Sequence, residues 1–195
     1  MKYMFSVFFV AAVLNNFVLT NFLGICPFLG VSRRKGPALA MSGAVLFVMV
    51  IASIFTWLIY HYLLQKYDLE FLMIPSFILV IGSLVQLIEI FMRRFAPRMY
   101  DVFGIYLPLI TTNCAILGVT LININRAFNF HTALVYSLGA GAGFGLAMII
   151  MAGIREHLEY VDLPRPLQDI PIALLVAGLL SMAFQGFAGT VALLK

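Results

Sequence analysis

The chain is poor in the side chains from which soluble catalysts are built. Among 195 residues there are eight Asp and Glu, three His, two Cys and one Trp, and charged residues make up only 10%. Two cysteines, with no leader ending in a small-residue cleavage site, exclude a disulfide-rich secreted domain, and the first apolar segment is expected to stay in the mature protein. What is abundant is apolar: 63% of residues are hydrophobic and mean hydropathy is +1.06. Soluble domains hold roughly 45–50% apolar residues, so a water-soluble globule is excluded. The net charge of +4 comes from cations clustered between apolar runs. It reads as a topology signal and gives no support to a nucleic-acid partner.

A hydrocarbon core of about 30 Å takes about 20 helical residues. Six runs of this order are bounded by charge or turn residues: 4–31, 38–64, 71–92, 102–123, 132–154 and 170–194. They are continuous rather than alternating, which predicts an all-α integral membrane protein with six transmembrane helices. Thr132, and Asp169 followed by Pro171, read as helix starts. Arg33, Arg34, Lys35, Arg93, Arg94, Arg98, Arg155 and Arg165 fall in the first, third and fifth loops, against Lys2, Lys66, Arg126 and Lys195 elsewhere. The positive-inside rule therefore places both termini outside the cytoplasm.

A motif recurs. CPFLGVS from Cys26 to Ser32 matches CAILGVT from Cys114 to Thr120, a shared CxxLGV[ST] at an offset of 88 residues, close to half the chain. Each copy lies in the first span of a three-span half, so two inverted three-helix repeats, approximately 1–95 and 96–195, are expected. The first span carries Asn15, Asn16, Asn21, Gly24, Pro27 and Gly30, and the fourth carries Pro108, Thr111, Thr112, Asn113 and Gly118. Pro27 and Pro108 remove backbone donors, so both spans are expected to kink or break. Broken spans in corresponding places mark a midplane site; kinks satisfied by neighbouring polar side chains are the plainer alternative. Cys26 lies seven residues before Arg33 and Cys114 nine before Asn123, roughly 10 Å and 13 Å from opposite membrane edges. Both thiols thus approach the middle of the bilayer.

Three readings of these thiols stay open: small buried hydrophobes, a disulfide, or a metal or iron–sulfur site. The third needs about four ligands and would have to be shared with a second chain of similar fold. Glu89, four residues before Arg93, reads as an interfacial ion pair or as an ion-path ligand. Asn15 and Asn16 are further candidates for an ion path. Gly139, Gly141, Gly143 and Gly145 form two overlapping GxxxG spacings that permit close helix approach.

The runs NNFVLTNFLGICPFLGVS (15–32), GIYLPLITTNCAILGVTLININ (104–125) and LLVAGLLSMAFQGFAG (174–189) resemble the A-type membrane subunits of the Rnf ion-translocating oxidoreductases. The similarity covers the whole chain, with the E-type subunits of sodium-translocating NADH:quinone reductases as more distant relatives. The resemblance implies a non-autonomous subunit of a ferredoxin:NAD+ oxidoreductase that couples electron transfer to Na+ or H+ translocation. It also implies that Cys26 and Cys114 supply half the ligands of an intramembrane [2Fe-2S] cluster. A homologous six-helix subunit of opposite topology, the Rnf E subunit, would complete the set. Gly24, Pro27, Thr112 and Asn113 would then surround the sulfurs, and flavins and NAD would belong to other subunits (B, C, D and G). The implied location is the plasma membrane of a bacterium or archaeon, the inner membrane in a Gram-negative cell. A self-contained secondary transporter with a substrate site at the repeat interface is the alternative from another class, and a cofactor-free assembly protein is a third.

Overall fold

The structure, a computed structural model, describes residues 2–14, 16–67, 69–95, 107–160 and 169–193. All regular elements among the described residues are helical. Helix α1 (Lys2–Phe9) runs into a π-helical turn (Val10–Leu14) and is followed by two short pieces, α2 (Phe17–Thr20) and α3 (Ile25–Val31). A long helix, α4 (Lys35–Ile59), also ends in a π-helical turn (Tyr60–Leu64) and leads through a 3-10 turn (Glu70–Leu72) to α5 (Met73–Phe95). The second part repeats the pattern of short piece, then helix: α6 (Leu107–Thr111), α7 (Cys114–Asn125), α8 (Phe130–Leu158) and α9 (Ile170–Leu193). Four stretches are long and apolar enough to cross a membrane, Lys35–Leu64, Met73–Phe91, Pro108–Asn125 and Phe130–Leu158, and shorter apolar helices cover Met4–Leu14 and Ile170–Gly186.

The helix starts show where local sequence misleads. Helix α8 begins at Phe130 after Asn129, whose side chain makes no capping bond, so Thr132 is not the cap that its residue type suggests. The turn sets the start instead: Ala127 is left-handed (φ 48), Phe128 N–H donates to Asn123 O, and Ala133 N–H already donates to Asn129 O. Asp169 does precede α9, and its carbonyl accepts from Ala173 N–H. Its carboxylate pairs with Arg33 at 3.0 Å.

At the centre is α8, against which α1 and α4 pack. Its four glycines divide between these neighbours. A Cβ on Gly139 would lie 2.7 Å from the Phe8 carbonyl oxygen and one on Gly143 2.5 Å from that of Ala12, whereas Gly141 and Gly145 face Leu46 and Ser42 of α4. The two GxxxG stripes therefore bring two different helices to close contact with a third. A polar tie joins three helices: Asn123 Nδ2 of α7 donates to Ser53 Oγ of α4 at 2.8 Å and to Ser137 Oγ of α8 at 3.0 Å. Around these contacts Phe17, Phe28, Met41, Met49, Ile116, Phe144 and Met148 form a core that is closed to solvent.

Replacing Gly143 with Ala is expected to destabilise the detergent-solubilised chain by about 1–3 kcal/mol, because its methyl group meets backbone that cannot yield. Gly153→Ala, with open space around its Cβ, is expected to be neutral or to stabilise by up to about 1 kcal/mol through helix propensity. Thermal unfolding of the two variants checks the contrast.

Candidate functional site: the paired helix breaks

The first break falls between α2 and α3. Phe22 (φ 54) and Gly24 (φ 83) both take the left-handed region, which costs about 1–2 kcal/mol for a residue such as Phe and is free for Gly. The chain thereby turns out of α2 and re-enters a helix at Ile25. The second break is shorter, at Thr112 and Asn113, just before α7. Neither break lies at a proline, contrary to expectation. Pro27 is the third residue of α3 and Pro108 the second of α6, first-turn positions whose amide has no helical partner to lose. The prolines start helical pieces; they do not kink continuous ones.

Asparagines satisfy much of the released backbone. Asn16, fully buried, caps α2 by accepting from Val18 N–H at 3.2 Å and ties it to α8 by donating from Nδ2 to Gly143 O at 2.7 Å. Asn113 caps α7 by accepting from Ala115 N–H at 3.0 Å. Ser181 Oγ of α9 donates to Leu19 O, and Thr112 Oγ1 donates to Pro108 O at 2.9 Å. These bonds carry out inside protein what water would do for an interrupted helix elsewhere.

The breaks also meet each other. Gly24 N–H donates to Cys114 Sγ at 2.9 Å, bridging 90 residues of sequence. A Cβ at Gly24 would lie 3.0–3.3 Å from Phe144, Ala115 and Asn113, so only glycine fits between the two halves. Cys26, two residues on, is exposed and Cys114 half-buried, and neither forms a disulfide. They occupy the second position of α3 and the first of α7. The motif glycines acquire a role here: a Cβ on Gly118 would lie 2.7 Å from Leu23 in the first break, and one on Gly30 would lie 4.0 Å from Leu109, just before the second. Each half-helix thus packs against the interrupted segment of the other half.

Asn113 is 4% exposed, and its Nδ2 has no hydrogen-bond partner. A buried amide donor left over on the residue that precedes Cys114 fits a site that receives further acceptors. Two thiols are half of a four-thiolate set, and no three His, Cys, Asp or Glu side chains gather as metal ligands among the described residues. Any iron–sulfur group at these sulfurs needs ligands from another chain. Of the other predicted positions, Glu89 is half-buried on α5, Asn16 is bonded to α8, and Asn15 lies outside the described residues. Sequence reasoning misses Arg155, whose Nη1 donates to Leu29 O of α3. As a basic residue near a span end it reads only as a topology signal.

Fold and site define a multi-pass helical membrane protein in which two interrupted helices bring a pair of free cysteines into one neighbourhood. The chain belongs to the Rnf-Nqr subunit family of membrane proteins, whose pattern it matches over residues 4–191. It is 48% identical over 191 residues to the A subunit of the ion-translocating oxidoreductase complex of Syntrophotalea carbinolica, covering 98% of this chain and 99% of the relative. The protein of the same name from Serratia proteamaculans is 50% identical over 184 residues, covering 94% and 95%. The A subunit of the Na+-translocating ferredoxin:NAD+ oxidoreductase complex of Acetobacterium woodii is 50% identical over 179 residues, covering 92% and 93%.

Gly24→Ala is expected to cost at least about 1–2 kcal/mol from its backbone conformation alone, and to withdraw the N–H from Cys114 Sγ. Maleimide labelling of Cys114 in the solubilised chain should then accelerate. Gly36→Ala, with nothing within 4 Å of its Cβ, should leave both stability and labelling unchanged.

Proposed function

We propose that this chain is a membrane subunit of an ion-translocating ferredoxin:NAD+ oxidoreductase complex, in which Cys26 and Cys114 supply two of the four thiolates that hold a [2Fe-2S] cluster. The other two would come from a homologous six-helix subunit of opposite topology. The observation that carries this reading is the hydrogen bond from Gly24 N–H to Cys114 Sγ, because it brings the segment bearing one cysteine against the sulfur of the other. The 48–50% identity to subunits of complexes named for that activity supports it further.

When bound, the cluster supplies a one-electron carrier that divides the roughly 30 Å insulating core into two shorter hops. The chain's own residues hold and shape the site. Gly24 N–H donates to the Cys114 sulfur, the spare Nδ2 of Asn113 adds a donor beside it, and such hydrogen bonds tune potential and fix ligand geometry. Cys26, exposed on this chain alone, faces the side where the partner's ligands would enter. Six spans in two inverted repeats, with both termini outside the cytoplasm, complete the reading. Flavins and NAD lie on other subunits, and the complex sits in the plasma membrane of a bacterium or archaeon. The half-helices on either side of the site move between inward-open and outward-open arrangements as local charge changes, and this motion couples electron transfer to ion passage.

The test is made on the purified whole complex. Cys26→Ser and Cys114→Ser should each remove one [2Fe-2S] electron paramagnetic resonance signal, with a matching loss of iron and acid-labile sulfide, while the subunits stay assembled. Unchanged iron, sulfide and spectra in both variants would refute the assignment. Substrate uptake by the isolated chain would favour a transporter instead.

A further inference from the structure

Arg155 is 9% exposed and is the one charged side chain buried among the described residues. It lies in the last turn of α8, near the end of a membrane-spanning stretch where a buried charge is costly and needs a reason. Its Nη1 donates to Leu29 O at 2.7 Å and to Ser32 Oγ at 3.1 Å. Leu29 is three residues beyond Cys26, one helical turn, and α3 ends at Val31, so its last carbonyls have no following turn to accept from. A guanidinium in that place both caps the half-helix and complements the negative end of its dipole. The neighbouring cations Arg33 and Lys35 are paired at the surface with Asp169 at 3.0 Å and Glu156 at 2.9 Å.

The repeated motif allows a comparison within the chain. Leu117 and Thr120 stand where Leu29 and Ser32 stand in the first copy. There Thr120 Oγ1 donates to Leu117 O at 2.8 Å, and α7 continues to Asn125. One carbonyl is thus held by a neutral hydroxyl within a continuing helix, and its counterpart by a buried cation beneath a helix that stops. Hydrogen bonding alone does not call for a charge, because a hydroxyl suffices in the other half.

We infer that Arg155 is a positioning residue for the Cys26 half of the site, fixing α3 and giving it a buried positive charge, whereas the cation that ends the Cys114 helix, Arg126, is exposed. The inference rests on the cluster reading above. A fixed cation largely withdrawn from solvent favours the more negative, reduced state of a nearby redox group, so it raises the reduction potential and makes the two cysteine segments electrostatically unequal.

The experiment compares the wild-type complex with Arg155→Gln and Arg155→Lys in two readouts. The first is the midpoint potential of the signal that Cys26→Ser removes, followed by redox titration with spectroscopic detection. The second is amide hydrogen exchange over residues 25–31. Arg155→Gln should shift the potential downward, and Arg155→Lys, which keeps the charge, should restore most of the shift. Both should speed exchange across α3 by about tenfold or more, as loss of a charge-assisted hydrogen bond would give. Equal potentials in all three proteins overturn the electrostatic role, and unchanged exchange in both variants overturns the positioning role. If no signal depends on Cys26, the cluster reading and the electrostatic role fall together, while exchange still decides whether Arg155 holds α3. Should Arg155→Gln fail to assemble, wild-type exchange in Arg155→Lys overturns the hold by itself.

Discussion

An amide released by a broken helix finds no water in hydrocarbon, and that constraint governs where every interrupted segment of this chain can lie. Each unpaired group would cost several kcal/mol in lipid, so a break survives only where protein supplies the partner. The partners here come from far along the sequence: Cys114 Sγ takes the Gly24 amide, Ser181 Oγ binds Leu19 O, and Arg155, on α8, binds Leu29 O. The breaks are therefore held against α8 and α9, and through Gly24 against one another. The glycine stripes of α8 serve the same requirement, since close contact with the first helical segment at Gly139 and Gly143 puts α2 within reach of Asn16's bond.

The site follows from this satisfaction. A half-helix begins with amides that have no intrahelical partner, and its first turn is the position that each repeat gives to its cysteine. Sulfur is a soft acceptor that can take such an N–H, as Cys114 does from Gly24. Bringing two breaks together thus gathers thiols and N–H donors at one place. Phe22, strained and partly exposed near Cys26, marks the cost of the turn.

Much of this is legible from residues whose effect is local or periodic. Apolar length announces the helical spans, and Asn, Gly and Pro at membrane depth announce that the first and fourth runs are not continuous. The spacing of four glycines announces close packing on α8. The position of the breaks is not legible, because proline reads as an interruption, whereas Pro27 and Pro108 occupy first turns. The interruptions come from Phe22, Gly24 and the capping Asn113, whose geometry depends on what the opposite half presents. Thr132 misleads for a related reason: the turn through Ala127 and Asn123 sets the start of α8, and propensity at Thr132 has no part in it. Arg155 is invisible in sequence because a basic residue near a span end looks like a topology signal until the carbonyl it binds, 126 residues away, is known.

The two halves of the chain share a motif but not an environment. Strictly equivalent halves would give both cysteine segments the same electrostatic surroundings. Here the Cys26 helix is seven residues long and stops on a buried cation, while the Cys114 helix is twelve residues long and is held by its own hydroxyl. The repeated motif gives each segment a cysteine, and the different partners of Leu29 O and Leu117 O make the two segments unequal. Because a fixed charge acts over longer range than any packing contact, a buried arginine beneath one of the two cysteine segments makes them unequal without changing the sulfurs they carry.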